Sequence, residues 1–214
     1  MAFKRHLVAT LALLAAALAL PAAASAEPLR IVGFGDSLMA GYGLSPGESF
    51  PEKLQEALRA KGHDVVIDNA GVSGDTTSGG VSRLDWSVPD GTDLVILELG
   101  ANDMLRGIAP EITERNLTTM IERLLSRNIR VLLAGMRASP SLGADFQGKF
   151  DAIYPGLAAK FGINLYPFFL DGVAAQRDAL LDDGMHPNAS GVDTMVERFL
   201  PTMEAELAAV SGDS

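Results

Sequence analysis

The chain has 214 residues, no cysteine and a formal charge of −10 at neutral pH. That composition excludes disulfide staples and thiolate-held metals. A balance this acidic repels nucleic acid and anionic lipid surfaces, so neither is an expected partner.

The chain opens with Lys4, Arg5 and His6, then an apolar stretch from Leu7 to Leu20, then the small residues Ala24-Ser25-Ala26. This is the layout of a secretory signal peptide cleaved after Ala26. The apolar stretch is shorter than the roughly 20 residues that a membrane span needs. The expectation is a removed signal over residues 1–26, one domain over 27–214, a periplasmic or secreted location, and no stable membrane anchor after cleavage. His6 leaves with the signal, so chemistry that needs an imidazole has His63 and His186 to draw on.

Beyond residue 27, short apolar runs alternate with amphipathic stretches. The runs Leu29–Phe34, Val65–Asn69, Leu94–Leu99, Val131–Met136 and Asn164–Phe168 are rich in Val, Ile and Leu and read as strands buried on both faces. Helices are predicted over Phe50–Lys61, Pro110–Arg127, Phe146–Phe161 and Asn188–Val210, the last opened by a capping box of Ser190 and Asp193. Five strands alternating with helices predict an α/β fold, a parallel sheet with helices on both faces. Ligands in such sheets bind beyond the carboxyl ends of the strands, near the point where strand order reverses.

Three of the runs are followed by small polar segments: Gly35-Asp36-Ser37-Leu38, the stretch from Asn69 to Thr77, and Gly100-Ala101-Asn102-Asp103. Gly33-Phe34-Gly35 begins a dinucleotide fingerprint, but Leu38 stands where its third glycine belongs and Asn69 where the ribose-binding acid belongs. No Walker sequence is present, and two isolated histidines offer no metal cluster, so neither cofactor nor metal is expected. Ser37 is either a helix cap or a nucleophile, and a nucleophile needs a base. Near the far end, Asp183 lies three residues before His186, close enough for a loop to fold its carboxylate onto the imidazole. Asp182 competes for that role. His63 lies at the amino end of a strand, the wrong edge of the sheet, and reads as structural. Oxyanion donors are available from the Asn102 amide, the Gly74 N–H and the N–H of Ser37 itself.

Gly35-Asp36-Ser37-Leu38, Gly74 within Val72-Ser73-Gly74-Asp75-Thr76, Gly100-x-Asn102-Asp103 and Asp183-x-x-His186 together resemble the four signature blocks of the SGNH (GDSL) hydrolases, in the family's order. The resemblance runs from about Leu29 through the last helix. It is strongest to the exported arylesterase and multifunctional acyl-CoA thioesterase I / lysophospholipase branch. It implies a three-layer, flavodoxin-like fold and an esterase without a cofactor, acting on a small-molecule ester or thioester with an acyl chain. It assigns Ser37 as nucleophile, His186 as base and Asp183, over Asp182, as its partner, with Ser37, Gly74 and Asn102 as the oxyanion hole. By the same resemblance, Asp75–Gly80 is a mobile loop over the acyl groove. The branch leads one to expect glycine at 101, where Ala101 stands, and a tyrosine-bearing loop at Ser139–Gly143. The competing readings are a carbohydrate O-deacetylase, a peptidase and a non-catalytic lipid- or sugar-binding protein.

Overall fold

The computed structural model describes residues 27–212, so the expected signal peptide lies outside the described residues. Five strands, β1 (Leu29–Gly35), β2 (Val65–Gly71), β3 (Leu94–Glu98), β4 (Arg130–Ala134) and β5 (Asn164–Tyr166), pair in parallel in the order β2-β1-β3-β4-β5. Among the described residues, seven α-helices connect and follow them: α1 (Ser37–Ala40), α2 (Phe50–Ala60), α3 (Thr77–Ser87), α4 (Ala101–Leu105), α5 (Pro110–Ser126), α6 (Ala144–Phe161) and α7 (Ala189–Gly212). Strand limits fall within two residues of the predicted ones. β5 stops at Tyr166 because Pro167 has no N–H for the ladder.

Right-handed crossovers set the layers. The chain steps from β1 outward to β2, then returns past β1 to β3 and continues to β4 and β5. The outward step puts α2 on one face; the return puts α3, α5 and α6 on the other. Helix α7 packs against α2, and α3 against α5, as that path requires. Strands β1 and β3 are covered from both sides: Ile31, Val32, Phe34 and Leu94 to Leu97 are each at most 1% exposed. Under α2 and α7 the core is aromatic, with Phe169 and Phe199 meeting the Phe50 ring edge-on at 4.7 and 5.2 Å between centres. Strand order reverses between β1 and β3, so the crevice forms at their carboxyl ends.

Two local expectations are corrected. Asp75–Gly80 is not a loop: Thr76 caps α3 through its hydroxyl, and Thr77 and the residues after it are helical. Thr77 is fully buried and donates its N–H and hydroxyl to Asp103 at 2.8 and 2.5 Å. Two glycines and a weak apolar stripe hide this helix in the sequence; contacts to other elements hold it. The capping box at Ser190 and Asp193 does not form either. Asn188 caps α7, accepting the Gly191 N–H at 3.0 Å, and Asp193 faces Lys53 at 3.8 Å.

Helix α1 sits hard against the end of β2. A Cβ at Gly71 would overlap the backbone of Ala40, so only glycine lets the two meet. Replacing Gly71 by alanine is expected to cost about 1–3 kcal/mol through overpacking. At roughly 2–4 °C per kcal/mol for a chain of this size, calorimetry should register a clear fall in Tm. The same change should displace Ser37, the first residue of α1.

Candidate active site

The residues singled out from the sequence stand at the carboxyl edge of the sheet. Ser37 is the first residue of α1, immediately after β1, and is 8% exposed. Asp36 caps that helix, its Oδ1 accepting the Leu38 N–H at 3.0 Å. Asn102 lies in α4, just past β3. Gly74 lies between β2 and α3 at φ +79°, a conformation that favours glycine, and its carbonyl accepts from Arg106 at 2.6 Å. Ser37, Gly74 and Asn102 line one cleft of about 650 Å³, whose lining also includes Met104, Met136 and Phe168. Tyr42, Leu105 and Met185 rim it and are more than half exposed, as large apolar side chains at a binding site often are.

Arg83, buried in α3, braces the strand ends. It donates to the carbonyls of Gly35 and Ala70, each at 2.8 Å, and to Asp75 at 2.6 Å. Its guanidinium carbon lies 3.9 Å from the centre of the Phe34 ring.

The chain's rear reaches the same edge through a tight loop before α7. The Leu181 N–H binds the His186 carbonyl at 2.7 Å, and the Asn188 amide binds the carbonyls of Asp178 and Leu180 at 2.9 and 3.1 Å. This loop sets His186 Nε2 at 2.8 Å from Ser37 Oγ and Nδ1 at 2.6 Å from Asp183 Oδ2. The other Asp183 oxygen accepts the backbone N–H groups of His186 and Met185. Those two bonds, with the one from the ring, pull the Asp183 carboxyl down to about 2. An ionised carboxylate only accepts, so Nδ1 carries the proton and the Nε2 lone pair faces the serine hydroxyl. Asp183, and not Asp182, meets the ring. His63 stands beside Glu204 at 3.6 Å, at the amino end of β2.

Several residues with roles here escaped the sequence reading. Tyr42 packs its ring 4.6 Å from that of His186. Asp36 and Glu98 are both fully buried, and Glu98 Oε2 accepts the Asp36 N–H at 3.2 Å. Asp36 Oδ2 accepts the Asn102 amide at 2.9 Å. Burial pushes the Asp36 carboxyl up to about 6 and that of Glu98 well above the ordinary range. Glu98 Oε1 has no hydrogen-bond partner among the described residues, which suits a neutral carboxyl. The signal available was a lone acid inside each of two apolar strand ends. Among the described residues, no three His, Asp or Glu side chains stand together as a metal centre would require.

A serine, an imidazole and a carboxylate bonded in series, at the switch point of a parallel sheet, define a serine hydrolase. The chain belongs to the GDSL-like Lipase/Acylhydrolase family, whose model matches residues 34–193. It is 40% identical to an arylesterase of Vibrio mimicus over 77% of this chain and 83% of that one. It is 37% identical to thioesterase 1/protease 1/lysophospholipase L1 of Escherichia coli K12, over 84% and 86% of the two chains. The crystal structure of AlinE4, an SGNH-hydrolase family esterase, superposes with a TM-score of 0.72 at 47% identity, covering 86% of this chain and 98% of that one.

The buried acid predicts a pH dependence of stability. Asp36 holds its proton more tightly in the fold than its ordinary value of 3.8 allows, up to about 6. Between those values the folded state binds more protons than the unfolded one, so stability falls as pH rises through the window. Urea midpoints should decline from about pH 4 to about pH 6, and Asp36→Asn should remove part of that decline. Identical slopes for the two proteins would contradict the assignment.

Proposed function

We propose that this protein hydrolyses carboxylic esters, and thioesters with them, through an acyl-enzyme on Ser37. The observation that carries the reading is the 2.8 Å approach of His186 Nε2 to Ser37 Oγ. In this mechanism the hydroxyl proton passes to Nε2 as Oγ bonds to the substrate carbonyl carbon. Asp183 holds the ring in the required tautomer and stabilises the imidazolium that forms. The oxyanion is met by the N–H groups of Ser37 and Gly74 and by the Asn102 amide. As the intermediate collapses, the bond to the leaving oxygen or sulfur breaks and His186 returns its proton to that atom. Water, deprotonated by the same nitrogen, then attacks the acyl carbon; as its bond to Oγ breaks, Nε2 returns the proton to Ser37 and the acid is freed. The chemistry calls for no cofactor.

The substrate class follows from the cleft. Its apolar lining suits an acyl chain of some length, and relatives named arylesterase and thioesterase/lysophospholipase support esters and thioesters as leaving-group classes. Ala101 and Ser139-Pro140 line this cleft where the related branch led us to expect glycine and a tyrosine-bearing loop. They sit where they tune the acyl length accepted. The charged, apolar and small-residue order of residues 1–26 supports a removed export signal and a periplasmic enzyme. Among the described residues, no helix is long and apolar enough to cross a membrane.

Ser37→Ala should fold as wild type by circular dichroism and lose p-nitrophenyl ester hydrolysis by at least about 10⁴-fold. A rate series over p-nitrophenyl esters and acyl thioesters of increasing length should rise with chain length and then fall. Full activity without the hydroxyl would overturn the proposal.

A further inference from the structure

The amide of Asn102 has two N–H groups, and one is occupied. It donates to Asp36 Oδ2 at 2.9 Å, while the other remains for the cleft that Asn102 lines beside Ser37. An amide can present either its nitrogen or its oxygen to a neighbour, and only one choice leaves a donor for an oxyanion. The neighbour decides. Asp36 cannot rotate freely to suit Asn102, because its Oδ1 is held by the Leu38 N–H at 3.0 Å and its own N–H by Glu98 at 3.2 Å. Asp36 and Glu98 are both fully buried, so no bulk water competes for these bonds.

We propose that Asp36 is a positioning residue that locks the Asn102 amide with its nitrogen toward the nucleophile, and that Glu98 anchors Asp36 in the orientation this requires. The inference rests on the reading of Asn102 as an oxyanion donor and adds what sets that donor's polarity.

An unusual ranking of variants follows. In Asp36→Asn the shape and the helix cap survive, since asparagine caps as well as aspartate. Its oxygen stays with Leu38, so its NH₂ faces Asn102. Two donors cannot share a bond, so Asn102 turns its oxygen to position 36 and its amide no longer aims a hydrogen at the reacting carbonyl. Asp36→Ser also caps the helix, but its short arm does not reach Asn102, which is left free to adopt either orientation. The isosteric change is therefore the more damaging one, whereas a purely packing role for Asp36 ranks the two variants the other way.

The test is a double-mutant cycle on p-nitrophenyl ester hydrolysis, with circular dichroism as the folding check. Asn102→Ala should lower kcat by roughly 10²–10³-fold with KM little changed, the loss of one oxyanion donor. Asp36→Asn should match that loss to within about tenfold, Asp36→Ser should lose less, and neither should lower kcat further in the Asn102→Ala background. Additive losses, a harmless Asp36→Asn, or a worse Asp36→Ser would overturn the positioning role while leaving the oxyanion reading intact. An Asn102→Ala enzyme of full activity would overturn both.

Discussion

The mouth of this sheet depends on one buried cation that ties the ends of β1 and β2 together. Arg83 bonds the last carbonyl of β1 and one near the end of β2, pairs with Asp75, and lies across the face of Phe34. Its side chain is 7% exposed, so these are desolvated, charge-assisted contacts. Stripping one partner from such a cluster leaves a buried charge uncompensated, at a penalty of about 3–5 kcal/mol. What the clamp secures is position: Gly35 immediately precedes Asp36 and Ser37, and Asp75 immediately precedes the cap of α3.

The charges near the nucleophile divide by depth. At the surface, Asp183 is ionised and surrounded by donors. Beneath the serine, Asp36 and Glu98 lie in a dry layer that pushes both carboxyls up, Asp36 to about 6 and so still ionised at neutral pH, with Asp103 tied to Thr77 and Thr113 alongside. A carboxylate near a developing oxyanion opposes it, so an acid this close is tolerable only when its charge is occupied by donors. Asp36 is occupied in that way, by Leu38 and Asn102. The same bonds that quiet its charge orient the groups around the reacting atom.

Much of this was legible beforehand because it is written locally. Runs of Val, Ile and Leu mark the strands; β1, β3 and β4 are covered on both faces as expected, whereas the edge strands β2 and β5 expose part of theirs, and Pro110 and Gly62 punctuate helices through backbone chemistry alone. Ser37, Asp183 and His186 were legible through their spacing and through a family resemblance that selected Asp183 over Asp182. What stayed hidden is tertiary. Helix α3 carries two glycines and little amphipathic pattern; Asp103, on another element, holds its first turn. Ser190 has the right type for a cap, yet Asn188 takes the place because its side chain also ties down the loop behind it. Arg83 carries no local signal of the strand ends that close around it. Asp36, and not Ser37, caps the helix, and nothing local reveals its second bond to a residue 66 positions away.

The hydroxyl and the ring that activates it lie 149 positions apart, and the loop bearing the ring is pinned only once Asn188 and the start of α7 have docked. A ribosome delivers the serine early and the imidazole almost last. Until then the serine has no base beside it, and a chain cut short by stalling or proteolysis stays inert toward the acyl compounds around it. Reactivity therefore requires both ends of the fold to be in place at once.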